Sequence, residues 1–148
     1  MADTDLIKLY SGRILELAAD IPLTERLASP QATVKKRSPL CGSTVTVDLD
    51  MEHGRVTRFG QDVKACALGQ ASAAIMAANI IGRTRNEIET ARDQLRVMLA
   101  QQGDVPAAPF TGYDVLEPAR DFRNRHASIL LALDASAEAA AEAETKAA

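Results

Sequence analysis

Cys66 is the residue whose type and position in this sequence most suggest chemistry. It stands where strand-like sequence, Val56 to Val63, gives way to a helix-like run from Ala67 to Ile81. A thiol at a helix N-terminus faces unpaired backbone N–H groups and the positive end of the helix dipole, which favour the thiolate. The neighbouring Lys64 favours it as well. We therefore expect Cys66 to be a metal ligand or a nucleophile.

Two further residues, Cys41 and His126, could take part in the same chemistry. Cys41 precedes a glycine, so it is either a ligand or a small buried side chain. His126 shares one side of a predicted helix with Ile129 and Leu133, so it points inward or toward a pocket, as a ligand or as a core histidine. His53 lies in a predicted turn and is interpreted as a solvated residue. Periodicity alone does not bring the two cysteines and His126 together.

The composition bounds the class of protein. A chain of 148 residues with 47% hydrophobic and 25% charged residues is typical of one soluble domain, and 3% aromatic residues predict an aliphatic core. A net charge of -3 gives no reason to expect nucleic-acid or membrane binding. An acidic start and no long apolar run predict a cytoplasmic protein, in which two cysteines are free thiols, ligands or catalytic groups. No P-loop, dinucleotide-binding or hydrolase motif is present.

The chain between the candidate residues predicts a small antiparallel sheet. Residues 32–36 form a short edge strand with basic residues. Residues 44–49 alternate between apolar and polar, as a half-buried strand does. A turn over residues 50–54 leads to an antiparallel partner at residues 55–59, and Gly60 is expected to be a bulge or the strand end.

Helices are predicted from apolar spacing and capping residues. The first helix is expected over residues 5–19, and a second follows Cys66 and stops at Gly82. A third helix begins with a Thr84–Glu87 capping box. A loop over residues 102–112 then leads to a helix over residues 120–133. Residues 135–148 are rich in alanine and glutamate, and we expect a frayed or disordered tail there. The predicted organisation is a single domain over residues 1–134 followed by this tail.

Three pieces of sequence together resemble a known family. Ser38-Pro39-Leu40-Cys41-Gly42 stands before the alternating strand, Cys66 lies at the helix start, and Arg125-His126-Ala127-Ser128 opens the C-terminal helix. This arrangement resembles the U-type iron-sulfur cluster assembly scaffolds, the family of IscU, SufU and the N-terminal domain of NifU. The likeness runs from the first helix to about Leu133. It implies an α+β fold of the SufE/NifU type, in which a three-stranded antiparallel sheet packs against several helices.

The resemblance also implies a ligand set. In the family a cysteine in a Cys-Gly-Asp sequence, that aspartate, a cysteine at the helix start and a cysteine after a histidine form the cluster site. Cys41, Cys66 and His126 match the first cysteine, the second cysteine and the histidine. Two positions differ, since Ser43 replaces the aspartate and Ala127 replaces the third cysteine. The family aspartate is linked to cluster release, so a site without it either holds its cargo more firmly or binds nothing.

Two thiolates and an imidazole permit two kinds of bound group. Zinc accepts a Cys-Cys-His site with water as the fourth ligand. A two-iron cluster normally has four protein ligands, so this chain would need a solvent, thiol or partner ligand, or a dimer that shares the cluster.

The resemblance implies a carrier and not an enzyme: a scaffold that receives iron, takes sulfur from a PLP-dependent cysteine desulfurase and passes a cluster to acceptor proteins. Cys66 is the expected persulfide acceptor, with Cys41 and His126 as co-ligands. The alternatives are a degenerate scaffold fold that serves as a protein-interaction module or complex subunit without a cluster, and a zinc-binding domain.

Overall fold

The structure is a computed structural model that describes residues 10–39 and 41–147. In chain order its elements are α1 (Gly12–Ala19), β1 (Ala32–Arg37), β2 (Thr44–Glu52), β3 (Arg55–Lys64), α2 (Ala67–Ile80), α3 (Arg85–Gln101), a 3-10 segment (Phe110–Asp121) and α4 (Arg123–Ala147). The fold is α+β, a three-stranded antiparallel sheet packed against helices, as the sequence predicts.

The sheet has the order β1-β2-β3, and both pairs are antiparallel. The alternating residues of β2 place Val45, Val47 and Leu49 in the core with 0% exposure. His53 and Gly54 form the hairpin tip between β2 and β3 and adopt left-handed backbone conformations, with φ of 52° and 76°. The predicted edge strand, half-buried strand and hairpin are therefore confirmed, and His53 is exposed at the tip.

The expectation for Gly60 is wrong. β3 continues through Gly60, which pairs with Asp48, and the irregularity in the β2–β3 register falls between Asp50 and Met51. A Cβ built at Gly60 would lie 2.4 Å from the Glu25 carbonyl oxygen. The glycine is thus explained by the loop before β1, which packs directly on the strand backbone.

Asp48 holds that loop in place. Its side chain is buried and accepts hydrogen bonds from Arg26 Nη2 at 3.0 Å, Thr33 Oγ1 at 2.6 Å and the Leu27 backbone N–H at 3.1 Å. Burial alone would raise the pKa of this carboxyl, but the bonds from Arg26, Thr33 and Leu27 outweigh it and lower the pKa. The polar side of β2 is therefore covered at this point and not solvated.

The helices α2 and α3 begin and end as the sequence predicts. α2 ends at Ile80, and Gly82 follows in the left-handed region with φ of 87°. The capping box is present: the Glu87 N–H donates to Thr84 Oγ1 at 3.1 Å, and the Thr84 N–H donates to Glu87 Oε1 at 2.9 Å. The predicted inner face of α3 is buried at Ile88 and Leu95. In the part of the chain that the structure describes, no helix is long and apolar enough to cross a bilayer.

Two predicted helices have different bounds in the structure. The described part of the first helix is α1, capped by Ser11, with Ile14 fully buried; the predicted start at residues 5–9 lies outside the described residues. The helix predicted over residues 120–133 begins later, because residues to Asp121 belong to the 3-10 segment and α4 starts at Arg123.

The prediction of a frayed or disordered tail is also wrong for the described residues. α4 continues unbroken to Ala147 and packs on β1, β2, α2 and α3. Four alanines of this half have 0% exposure: Ala135, Ala139, Ala140 and Ala143. Because alanine has only a methyl side chain, the helix comes close to its neighbours and buries its surface without large residues.

Ala139→Leu tests this packing. The larger side chain has no space at a fully buried position, so we expect the free energy of unfolding to fall by about 1–3 kcal/mol, measured by urea denaturation. Ala78→Leu is the matched control, since Ala78 is exposed on α2 and should change stability by less than about 0.5 kcal/mol. Equal stability of the wild type and the Ala139 variant would contradict a packed C-terminal half.

Candidate functional site

Cys66 lies at the junction that the sequence predicts. It is the N-cap residue of α2, two residues after β3 ends, and its side chain is half-buried. The backbone of Cys66 is extended, with φ of -67° and ψ of 169°. The Cys66 carbonyl oxygen accepts the first hydrogen bond of the helix, from the Gln70 N–H at 2.9 Å. The side chain makes no capping hydrogen bond, so the thiol is left to contact other elements.

Cys41 lies in the turn that joins β1 to β2. The turn is closed by two backbone hydrogen bonds, from the Gly42 N–H to the Ser38 carbonyl at 2.9 Å and from the Ser38 N–H to the Ser43 carbonyl at 2.8 Å. Gly42 has a φ of 73°, which glycine adopts without strain. Cys41 is exposed at this turn, whereas both serines are buried.

Two serine hydroxyls connect the cysteines. Cys41 Sγ lies 3.0 Å from Ser43 Oγ, Ser128 Oγ donates to Ser43 Oγ at 3.2 Å, and Cys66 Sγ lies 3.4 Å from Ser128 Oγ. Ser43 is 5% and Ser128 1% exposed. The structure thus brings Cys41 and Cys66, from two different elements, to one hydrogen-bonded site between a turn, the start of α2 and the start of α4.

Gly69 explains how Ser128 reaches this position. A Cβ at Gly69 would lie 2.6 Å from Ser128 Oγ and 3.3 Å from the Ser128 carbonyl oxygen. Any larger residue there would push α2 away from α4, since real Cβ atoms do not make such short contacts. The glycine therefore lets the N-terminal parts of α2 and α4 meet beside Cys66.

The hydroxyls around Cys41 favour its thiolate. Hydrogen bonding from the Ser38 hydroxyl, then from the Ser43 hydroxyl and backbone, lowers the pKa of the Cys41 thiol to about 7. Burial opposes this shift, and Ser128 adds to it. Ser38 Oγ is buried and has no other hydrogen-bond partner among the described residues, so the anionic sulfur is the acceptor available to this hydroxyl.

His126 is oriented by the end of the 3-10 segment. Its Nε2 lies 2.9 Å from the Ala119 carbonyl oxygen and 3.2 Å from the Arg120 carbonyl oxygen. Carbonyl oxygens only accept, so Nε2 carries the proton in the neutral ring and Nδ1 carries the lone pair. The side chain is half-buried, in agreement with its prediction on the inner side of the helix.

The structure does not bring His126 and the two thiols together as a metal site. Among residues 10–39 and 41–147, no group of three histidine, cysteine, aspartate or glutamate side chains is arranged to hold a metal ion. The Cys-Cys-His zinc site considered from the sequence is therefore not preformed here.

Ser38 and Ser128 are the contributors that sequence reasoning missed. Both lie inside the motif pieces that carry the resemblance, three residues before Cys41 and two residues after His126. Their nearness in sequence to Cys41 and His126 was the one signal that could have pointed to them. The contact between Ser128 and Ser43 joins distant parts of the chain, so no local pattern predicts it. Ala127, the residue before Ser128, supplies no ligand atom.

Comparison with known proteins gives matches among solved structures. No protein-family model matches the chain, and no curated protein matches it. A nitrogen-fixing NifU-like protein (N-terminal) from Brucella abortus is 45% identical, with 95% of this chain and 98% of that chain covered and a TM-score of 0.92.

Two further structures share the fold at lower identity. A proposed iron-sulfur cluster assembly scaffold protein for the SUF system from Fervidobacterium islandicum is 18% identical, with 90% of this chain and 98% of that chain covered and a TM-score of 0.79. A hypothetical protein is 20% identical, with coverages of 91% and 98% and a TM-score of 0.80. At the identity and coverage of the Brucella protein, the chain belongs to the NifU-like N-terminal family of U-type iron-sulfur cluster assembly scaffolds.

Proposed function

We propose that this protein is an iron-sulfur cluster assembly scaffold that receives iron and sulfur at Cys41 and Cys66 and passes a cluster to acceptor proteins. The observation that carries the proposal is the pair of thiols joined through Ser43 and Ser128. Membership of the scaffold family supports it. In this role the chain is a carrier, and the iron and sulfur are its cargo.

Sulfur delivery needs one thiolate that is accessible to a donor. We propose that a cysteine desulfurase presents a persulfide and that the Cys66 thiolate attacks its outer sulfur. A new S–S bond forms on Cys66, the S–S bond of the donor breaks, and the donor cysteine leaves as a thiolate. The half-buried position of Cys66 at the helix start limits this exchange to a donor that docks at the site.

The protein supplies fewer ligands than a two-iron cluster usually has. Four thiolates, or two thiolates and two imidazoles, bind such clusters, and this site offers Cys41 and Cys66 directly. His126 can add Nδ1, because its Nε2 proton is held by backbone carbonyls, the usual second partner of a ligating imidazole. Because the described residues hold no three-ligand group, His126 can join the two cysteines as a ligand only if the first turn of α4 moves.

An interaction module without a cluster is the second candidate function. Ser43 and Ala127 stand where the family has two ligands, and the missing three-ligand group favours this alternative. It predicts that the fold and partner binding survive while no iron is retained.

Anaerobic reconstitution with iron, sulfide and reductant separates the two functions. We expect visible absorbance and bound iron in the wild type. In Cys41→Ser and Cys66→Ser we expect an iron content lower by about tenfold, because each variant loses a ligand. His126→Asn should lower the iron content too, and His53→Asn is the matched control, because His53 is exposed at the hairpin tip and asparagine tolerates its left-handed backbone. Wild-type protein without iron or colour would overturn the scaffold proposal.

Ala127→Cys should strengthen cluster binding. The substitution adds a third thiol beside Ser128, at the position where the family carries one. We expect slower loss of visible absorbance to an iron chelator, by about tenfold, because a third thiolate replaces an exchangeable ligand. Ala78→Cys adds a thiol on the exposed side of α2 and is the control. Equal chelator rates for both variants would contradict the ligand assignment at residue 127.

Alkylation of Cys41 tests the hydroxyl cluster independently of iron. In Cys66→Ser protein, the rate with iodoacetamide should rise with pH and reach half its plateau near pH 7, because the thiolate is the reactive form. Ser38→Ala and Ser43→Ala remove donors to that thiolate, so the midpoint should rise toward about 8.5. Thr57→Ala, an exposed hydroxyl on β3, is the control. A wild-type midpoint near 8.5 would contradict the role of the serines.

A further inference from the structure

The arginines of this protein differ in whether they form ion pairs. Outside the site, every arginine in the described residues lies within 4.0 Å of a carboxylate: Arg13, Arg26, Arg55, Arg58, Arg83, Arg85, Arg92, Arg96 and Arg120. Within the same part of the chain, Arg37, Arg123 and Arg125 form no ion pair. All three lie at the ends of elements that build the thiol site, the last residue of β1 and the first turn of α4.

Arg37 and Lys64 lie at one end of the sheet. Arg37 is opposite Thr44, and Thr44 is opposite Lys64, so the three residues form a row across β1, β2 and β3. The turn with Cys41 leaves the sheet from this row, and Cys66 follows Lys64 by two residues. A Cβ built at Gly42 would lie 3.9 Å from Arg37 Nη2, so the guanidinium lies beside the Cys41 turn.

Arg125 approaches the same site from α4. It lies three residues before Ser128, and residues with this spacing are neighbours on one side of a helix. Ser128 Oγ is 3.4 Å from Cys66 Sγ, so Arg125 lies about one helical turn before the residue that contacts this thiol. We call Arg37, Lys64 and Arg125 the basic rim. The side chain of Lys64 is 76% exposed, and its one ion-pair partner within residues 10–39 and 41–147 is Asp62, at 3.9 Å.

The basic rim contrasts with the rest of the molecule. The chain has a net charge of -3, yet two elements that build the site end with Arg37 and Lys64, and a third carries Arg125 in its first turn. Charges arranged in this way attract and orient an oppositely charged partner, and arginine binds carboxylates through two parallel hydrogen bonds. A nucleic acid fits less well, because its binding needs a longer basic stripe and usually aromatic side chains for stacking.

We propose that the basic rim docks an acidic segment of a partner protein, with Arg37 at the end of β1 and Arg125 in the first turn of α4. The docked carboxylates place the partner beside Cys41 and Cys66. The binding itself needs no cluster; only the task of the partner, as donor or acceptor of the cargo, rests on the function proposed above.

Fluorescence anisotropy with a short labelled peptide of alternating glutamate and serine tests the docking. We expect saturable binding to the full chain at ~50 mM salt that weakens at ~200 mM salt. Arg37→Glu and Arg125→Glu should each weaken binding by about tenfold, because each reverses a charge at the rim. Arg58→Glu is the matched control with the same charge change, since Arg58 lies on β3 about 20 Å from Lys64, toward the hairpin tip.

Three outcomes would overturn the proposal: no binding to the wild type, equal loss in the Arg58 variant, or tighter binding of a single-stranded oligonucleotide of equal charge. Thermal unfolding of each variant checks that the charge reversals leave the fold intact. The same titration with Cys41→Ser/Cys66→Ser protein should give unchanged peptide affinity. If the protein binds the peptide but cannot be reconstituted with iron, the docking proposal holds although the scaffold function fails.

Discussion

The close approach of α2 and α4 at Gly69 is the constraint on which the site depends. Because Gly69 has no side chain, the backbone and hydroxyl of Ser128 lie where a Cβ would otherwise be. Ser128 then reaches Cys66 on one side and Ser43 on the other. The alanines along α4 serve the same purpose over its length, since small side chains allow a long helix to lie close to the sheet and the neighbouring helices. Helix packing thus fixes the geometry of residues that are far apart in sequence.

Serine at position 43 changes the electrostatics of the site and not only its ligand count. A carboxylate there would place a negative charge beside Cys41 and disfavour the thiolate. The Ser43 hydroxyl instead donates toward the sulfur, and together with Ser38 it lowers the pKa of the Cys41 thiol. The site therefore carries fewer negative charges than the family pattern implies, while Arg37 and Arg125, at the ends of its elements, have no ion-pair partners among the described residues.

Local patterns and the family resemblance were enough to predict the fold and the position of Cys66 at the start of a helix, whereas the wrong and missing predictions involve contacts between distant segments. The junction at Cys66 was readable because strand periodicity, helix periodicity and composition change within a few residues. Gly60 was misinterpreted because its cause is the loop that packs on it. Residues 135–147 were misinterpreted because alanine scores as weakly hydrophobic although four of these side chains are fully buried. Ser128 could not be placed beside Cys66 without the crossing of two helices.

The start of α4 carries both the proposed imidazole ligand, His126, and a proposed docking residue, Arg125. His126 is held through Nε2 by the carbonyls of Ala119 and Arg120, so the lone pair on Nδ1 faces away from the 3-10 segment. Arg125 precedes it directly, and its N–H donates to the Phe122 carbonyl where the two helices join. Because the arginine and the imidazole are consecutive in one helical turn, the proposed docking residue and the proposed ligand belong to the same short segment of backbone.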